Sequence, residues 1–132
     1  MIHAAHDPNT DGRVVFELQE NDILFVRFTG DITLDLAVRA GDTIIAHLAE
    51  GVRRLLYDVA DSTPVFTPVS LLDEVRRVGS AGGPKSRFCY LAPENMFTRH
   101  FMLIEAAAFN EGVQVNFLSD EAAARAWLVN DA

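Results

Sequence analysis

The chain predicts an α/β fold: a single-layer, mostly parallel five-stranded sheet with an antiparallel N-terminal hairpin and four helices, in the order β-β-α-β-α-β-α-β-α. Three observations predict it. Apolar runs of strand length alternate with longer stretches of helical period, the first two runs are joined by a short polar turn, and glycine or proline punctuates the junctions. A helix between successive strands carries the chain back across the sheet, so the strands after the hairpin lie parallel.

Residues 13–19 (RVVFELQ) place Val14, Phe16 and Leu18 on one face, and residues 23–29 (ILFVRFT) do the same with Leu24, Val26 and Phe28. Glu20-Asn21-Asp22 turns between them. Thr33 caps a first helix with Asp35 in its first turn, Leu36, Ala37, Ala40, Ile44, Ile45 and Leu48 at helical spacing, and Gly51 as its stop. Gly41 inside it costs about 1 kcal/mol relative to alanine and marks the close approach of a neighbour. Residues 53–59 (RRLLYDV) read as a buried central strand and 60–66 as a loop. Thr67-Pro68 opens a helix through Leu71, Leu72, Val75 and Val78, which the run 79–86 (GSAGGPKS) breaks. A strand at 87–91 follows, then a helix from Pro93 to Glu111 with Phe97, Phe101, Ile104 and Ala108 on one stripe. Val113, Val115 and Phe117 alternate along a last strand, and Ser119 caps a helix that buries Ala122, Ala126 and Trp127.

A length of 132 residues suits one domain, read as 13–130 behind a flexible segment at 1–12. A net charge of −8 repels phosphodiester backbones and anionic lipid, so nucleic acid and the membrane surface are poor partners. No apolar run is long enough to span a bilayer, and the polar start lacks the core of a signal peptide, which predicts a cytoplasmic protein. One cysteine, Cys89, excludes an internal disulfide and leaves no thiolate metal site, and no cofactor is implied. Ile23, Phe25 and Val15 lie on the hairpin face opposite Leu24 and Val26, and this surplus of apolar surface predicts a homodimer unless helices cover it.

Three local signatures appear in order: Phe28-Thr29-Gly30-Asp31-Ile32-Thr33, Arg54-Leu55-Leu56-Tyr57-Asp58, and Val115-Asn116-Phe117 through Ala126-Trp127-Leu128. Over residues 13–129 the chain resembles the SpoIIAA-like family, relatives of the STAS domains of anti-sigma-factor antagonists and sulfate transporters. The resemblance implies a bacterial regulatory module that binds a protein or ligand, with no shared catalytic activity. STAS antagonists carry a phosphorylatable serine at the start of the second helix in an Asp-Ser-x-Gly setting. Here Phe66 and Thr67 stand there, followed by Pro68 and Val69, so the acid and the glycine are missing. Thr67 reads as a helix cap, with a phospho-switch as the alternative.

The remaining candidates are surface features. Asp58, Asp61 and Ser62 follow a central strand, where α/β proteins place ligands. No Gly-x-Ser-x-Gly elbow surrounds Ser62, so a hydrolase is the third choice of function. GSAGGPKS differs from a phosphate-binding loop by Pro84, which has no N–H to offer, and it follows a helix where such a loop follows a strand. Arg76, Arg77, Lys85, Arg87 and Arg99 form a basic region that reads either as a solvated helix end or as a docking patch. Phe66, Phe97, Phe101, Phe109 and Trp127 read as the lining of a lipid-sized pocket or, all but Phe66, as core. Phe66, in a loop with polar neighbours, reads as an exposed interaction point or a lid over the core. The leading function is thus a non-catalytic protein-interaction module with a protein partner. A carrier of a small apolar ligand or lipid, with a cavity beneath the 60–66 loop, is the alternative.

Overall fold

A computed structural model describes residues 2–96 and 98–130, the side chains of Thr98 and Arg99 excepted. Phe97 and the Arg99 side chain therefore lie outside the described residues. The elements are β1 (Ile2–His6), β2 (Arg13–Gln19), β3 (Ile23–Ile32), α1 (Leu34–Ala49), β4 (Arg54–Pro64), α2 (Pro68–Gly82), β5 (Arg87–Leu91), α3 (Thr98–Asn110), β6 (Gln114–Leu118) and α4 (Glu121–Val129). They form one six-stranded sheet in chain order. Strands β1 to β3 pair antiparallel and β3 to β6 pair parallel.

Every crossover steps one strand in the same direction. Right-handed crossovers that all step the same way leave their helices on one face, and α1, α2 and α3 share a single core with that face of the sheet. It is built on Leu24, Val26, Leu55, Tyr57, Phe88 and Tyr90 from the strands and Leu36, Ile44, Val75 and Ile104 from the helices. Helix α4 crosses the other face, where Ala124 and Leu128 cover Ile23, Phe25, Leu56 and Cys89. The apolar surplus behind the homodimer expectation is therefore capped within the chain: Ile23 is 1% exposed and Phe25 8%.

The structure corrects the sequence reading at several places. The sheet has six strands rather than five, because Ile2–His6, expected to be flexible, pairs with Arg13–Glu17 as an edge strand. Alternation along that strand puts His3 and His6 on opposite faces. Asp7 anchors the segment. Its carboxylate accepts hydrogen bonds from the Thr33 hydroxyl and the Asn9 N–H, while Thr33 in turn caps α1 by accepting from Leu36 N at 3.2 Å. Strand β4 continues through the supposed loop to Pro64. Helix α2 runs through Gly79 to Gly82, where the sequence reading broke it, because these glycines touch neighbours. A Cβ on Gly79 would sit 3.3 Å from Glu111 Cβ, and one on Gly82 would sit 2.6 Å from Ser86 Oγ. Asp120 rather than Ser119 caps α4, accepting from Ala123 N at 2.9 Å. Ala122 and Ala126 are exposed, Trp127 is half-buried, and Leu18 is 45% exposed.

Gly30 in the Phe-Thr-Gly-Asp step has φ +74°, and a Cβ there would meet Asp11 O at 2.5 Å. Gly30→Ala is expected to cost about 1–3 kcal/mol, read from urea unfolding. The hydrogen bond from Thr33, then that from Asn9 and the charge of Arg39, hold the Asp7 carboxyl below its ordinary value of 3.8. A depressed acid stabilises the fold above its unfolded pKa and loses that contribution as pH falls through the folded value. The stability gap between wild type and Asp7→Asn should stay constant at neutral pH and close as the pH drops below about 4.

Candidate functional site

The end of β4 departs from regular pairing. Arg27 stands opposite Asp58 but Thr29 opposite Asp61, so β4 carries one extra residue at this point. The bulge is held by Ala60 N–H donating to Asp58 Oδ1 at 3.2 Å and by the Ser62 hydroxyl donating to Val59 O at 2.9 Å. Its consequence is a phase change: Leu55, Tyr57 and Val59 face the helices before it, and Ser62 and Pro64 face them after it. Val65 N–H donates to Ile32 O at 2.9 Å, and the chain then turns into the Thr67 cap of α2 with Phe66 packed against the core.

Beneath this segment lies an apolar pocket of about 120 Å³. Its floor is the sheet at Phe28, Tyr57 and Tyr90, and the bulged end of β4 with Phe66 forms one side. Helix α1 contributes Ala37, Gly41 and Ile44, helix α2 contributes Leu71, Glu74 and Val75, and His100 and Phe101 of α3 complete it. The floor is an aromatic ladder. Tyr57 pairs in register with Tyr90, and Tyr90 with Phe117. The two tyrosine rings stack at 4.6 Å and 9° from parallel, and Phe101 of α3 stacks on Phe117 at 4.6 Å.

One polar strut crosses the pocket rim. Arg77 reaches from α2 to α1, donating to Asp42 Oδ1 at 2.8 Å, to Val38 O at 3.0 Å and to both carboxylate oxygens of Glu74. The Glu74 contact is the largest of the effects that raise the Arg77 pKa. Glu74 lies directly over Gly41, where a Cβ would sit 2.2 Å from its Oε1. The close approach expected at Gly41 is thus made by a carboxylate. Burial, with smaller contributions from Tyr90 and Glu74, pushes the Tyr57 phenol well above its ordinary value, and burial alone raises Tyr90. Both are neutral at physiological pH. Burial also lifts the Cys89 thiol to about 11, which makes it a poor nucleophile.

Of the candidates read from the sequence, the structure brings Ser62 and Phe66 together at the pocket. Asp58 lies elsewhere, paired with Arg27 at 3.1 Å, and Asp61 is exposed. The basic region dissolves as a unit. Arg77 is occupied by the strut, while Arg87 donates to the carbonyls of Trp127 and Asn130 and lies 5.4 Å over the Trp127 ring, fastening the end of α4. Arg76 and Lys85 are exposed. Among the aromatics, Phe101 lines the pocket, Phe109 is 81% exposed, and Trp127 packs on the α4 face. Sequence reasoning missed Tyr57, Tyr90 and Glu74. A signal for the first two was present: RLLYD and RFCYL each carry a hydroxyl at the fourth place of an otherwise buried strand.

The sequence matches no protein-family model and no curated protein.

Thr67 accepts from Ser70 N at 3.2 Å and donates its own hydroxyl to Ser70 Oγ. Thr67→Ala should lose about 0.5–2 kcal/mol in denaturant unfolding. Thr67→Ser and Thr67→Asp should hold wild-type stability, because each still accepts from the first turn.

Proposed function

We propose that this chain is a non-catalytic binding module that takes one small, mainly apolar molecule into the pocket between the sheet and helices α1, α2 and α3. One observation carries the proposal: a cavity of about 120 Å³, apolar on nearly every side, at the carboxyl ends of parallel strands. Ligands of open α/β sheets gather at that end of the strands. Apolar cavities of about 150 Å³ take up benzene, whereas pockets for drug-sized ligands begin at about 300 Å³. The occupant therefore has the size of a single ring, which makes a lipid chain a poor fit.

A second reading, the regulatory module of STAS-related type with a protein partner, is favoured by the pocket mouth. Val65 is 50% exposed and Val69 67% exposed, and they flank Thr67 and the Phe66 side of the pocket. A ligand seated beneath Phe66 bears on the same short segment that such a partner would meet, so the two readings share one surface.

Toluene should raise the melting temperature in proportion to the logarithm of its concentration above saturation. Ala37→Phe, which fills the cavity from α1, should keep the fold and abolish that shift. A melting temperature indifferent to toluene and to its size-matched analogues would remove the pocket from consideration as a site.

A further inference from the structure

The pocket floor holds two polar groups that its packing leaves unused. Tyr57 is 5% exposed and Tyr90 8%, yet among the described residues neither hydroxyl has a hydrogen-bond partner. Neither oxygen is among the fully enclosed unpartnered atoms either, where Ser86 Oγ stands alone among the described residues. Both residues line the pocket. Within a lining that is otherwise mainly apolar, a ligand acceptor would give these donors a partner.

The geometry makes the two hydroxyls a pair. The residues are in register on neighbouring strands and stack nearly parallel at 4.6 Å, so both phenols rise from the same face of the sheet and end side by side. Each pKa is raised by burial, so both remain protonated donors at neutral pH. The Glu74 carboxylate, whose charge reaches Tyr57, sits on the opposing wall with its balancing Arg77 turned towards α1. A carboxylate entering the pocket would lose its water against a mainly apolar lining whose own carboxylate, Glu74, already accepts two hydrogen bonds from Arg77. Beyond Glu74, the described lining's one titratable group besides the tyrosines is His100, with no lysine or arginine.

We infer, building on the pocket as a binding site, that its ligand is an uncharged aromatic carbonyl compound of one ring, its oxygen received by the hydroxyls of Tyr57 and Tyr90. The ring extends the ladder of stacked aromatics, and the carbonyl oxygen supplies the acceptor that the floor lacks. Hydrocarbons of the same shape leave both hydroxyls unsatisfied. Carboxylates of the same shape would be desolvated with no lysine or arginine in the described lining to pair them, Arg77 being held by Glu74.

Isothermal titration with three probes tests this: acetophenone, its near-isostere α-methylstyrene, in which a methylene replaces the carbonyl oxygen, and benzoate. Acetophenone should bind about tenfold more tightly than α-methylstyrene, as one or two net hydrogen bonds allow, and at least as far ahead of benzoate. In the Tyr57→Phe/Tyr90→Phe double variant the first two probes should bind alike, with α-methylstyrene binding retained as proof that the pocket is intact. Equal binding of acetophenone and α-methylstyrene to wild type would overturn the inference while leaving the apolar pocket standing, as would a preference for benzoate or a tenfold advantage that survives in the double variant. Failure of all three probes to bind wild type would overturn both the inference and the pocket reading beneath it.

Discussion

The run of strands in chain order, every crossover stepping the same way, is the constraint on which the rest of this structure depends. Because the strands lie in chain order, three successive crossovers that step the same way, each of the usual right hand, would place α1, α2 and α3 on one face, and all three share one core with that face of the sheet. Three helices in a row make two helix–helix seams above the sheet. A pocket opens where these seams meet the carboxyl ends of β3, β4 and β5. The other face receives only α4, the nine-residue helix after β6. That single helix buries Ile23 and Phe25, and Arg87 holds its end by donating to the carbonyls of Trp127 and Asn130. The division of labour is asymmetric: one face carries the larger core and the pocket, and the other is a thin cover.

The bulge in β4 turns that layout into a site. Without the extra residue, alternation would send Ser62 and Pro64 to the α4 face. With it, the strand end bends over the aromatic floor and delivers Phe66 to the pocket side. The same few residues thus terminate the sheet, line the pocket and cap α2 through Thr67. This coupling gives the candidate phospho-site of the family resemblance a structural duty of its own, since the hydroxyl that would carry a phosphate already accepts from Ser70 N.

Side-chain pattern is the part of this fold that is legible in the sequence. The hairpin, the Thr33 and Thr67 caps and the stripe Leu36, Ala40, Ile44, Leu48 declare themselves through alternation, capping chemistry and helical period. The features that escape it depend on backbone pairing or on distant partners. Ile2–His6 has almost no buried side chain, so its strand identity rests on hydrogen bonds to β2 and on Asp7. Asp61-Ser62-Thr63-Pro64 has the composition of a turn and is held extended by Gly30, Asp31 and Ile32 across the sheet. The pocket's place beneath the 60–66 segment can be anticipated from the sequence, but its floor cannot. Tyr57 and Tyr90 pass for apolar residues because strand periodicity registers the ring and ignores the hydroxyl.

The strut across the rim explains why this space is not simply filled. Ala37, Ala40 and Gly41 give α1 a smooth face that would let the helix settle onto the sheet. At about 24 cal/mol per Å³, a void of 120 Å³ carries a penalty of up to about 3 kcal/mol, less here because the pocket is open to water. Arg77 opposes the collapse: it bridges Val38 and Asp42 of α1 to Glu74 of α2, and the Glu74 carboxylate occupies the volume above Gly41. Gly41 is therefore small so that a polar group from α2 fits over it, and the two helices are spaced by an ion pair instead of interlocking through apolar side chains. Surface ion pairs contribute little to stability. This one bridges α1 and α2 beside the pocket that Tyr57 and Tyr90 line.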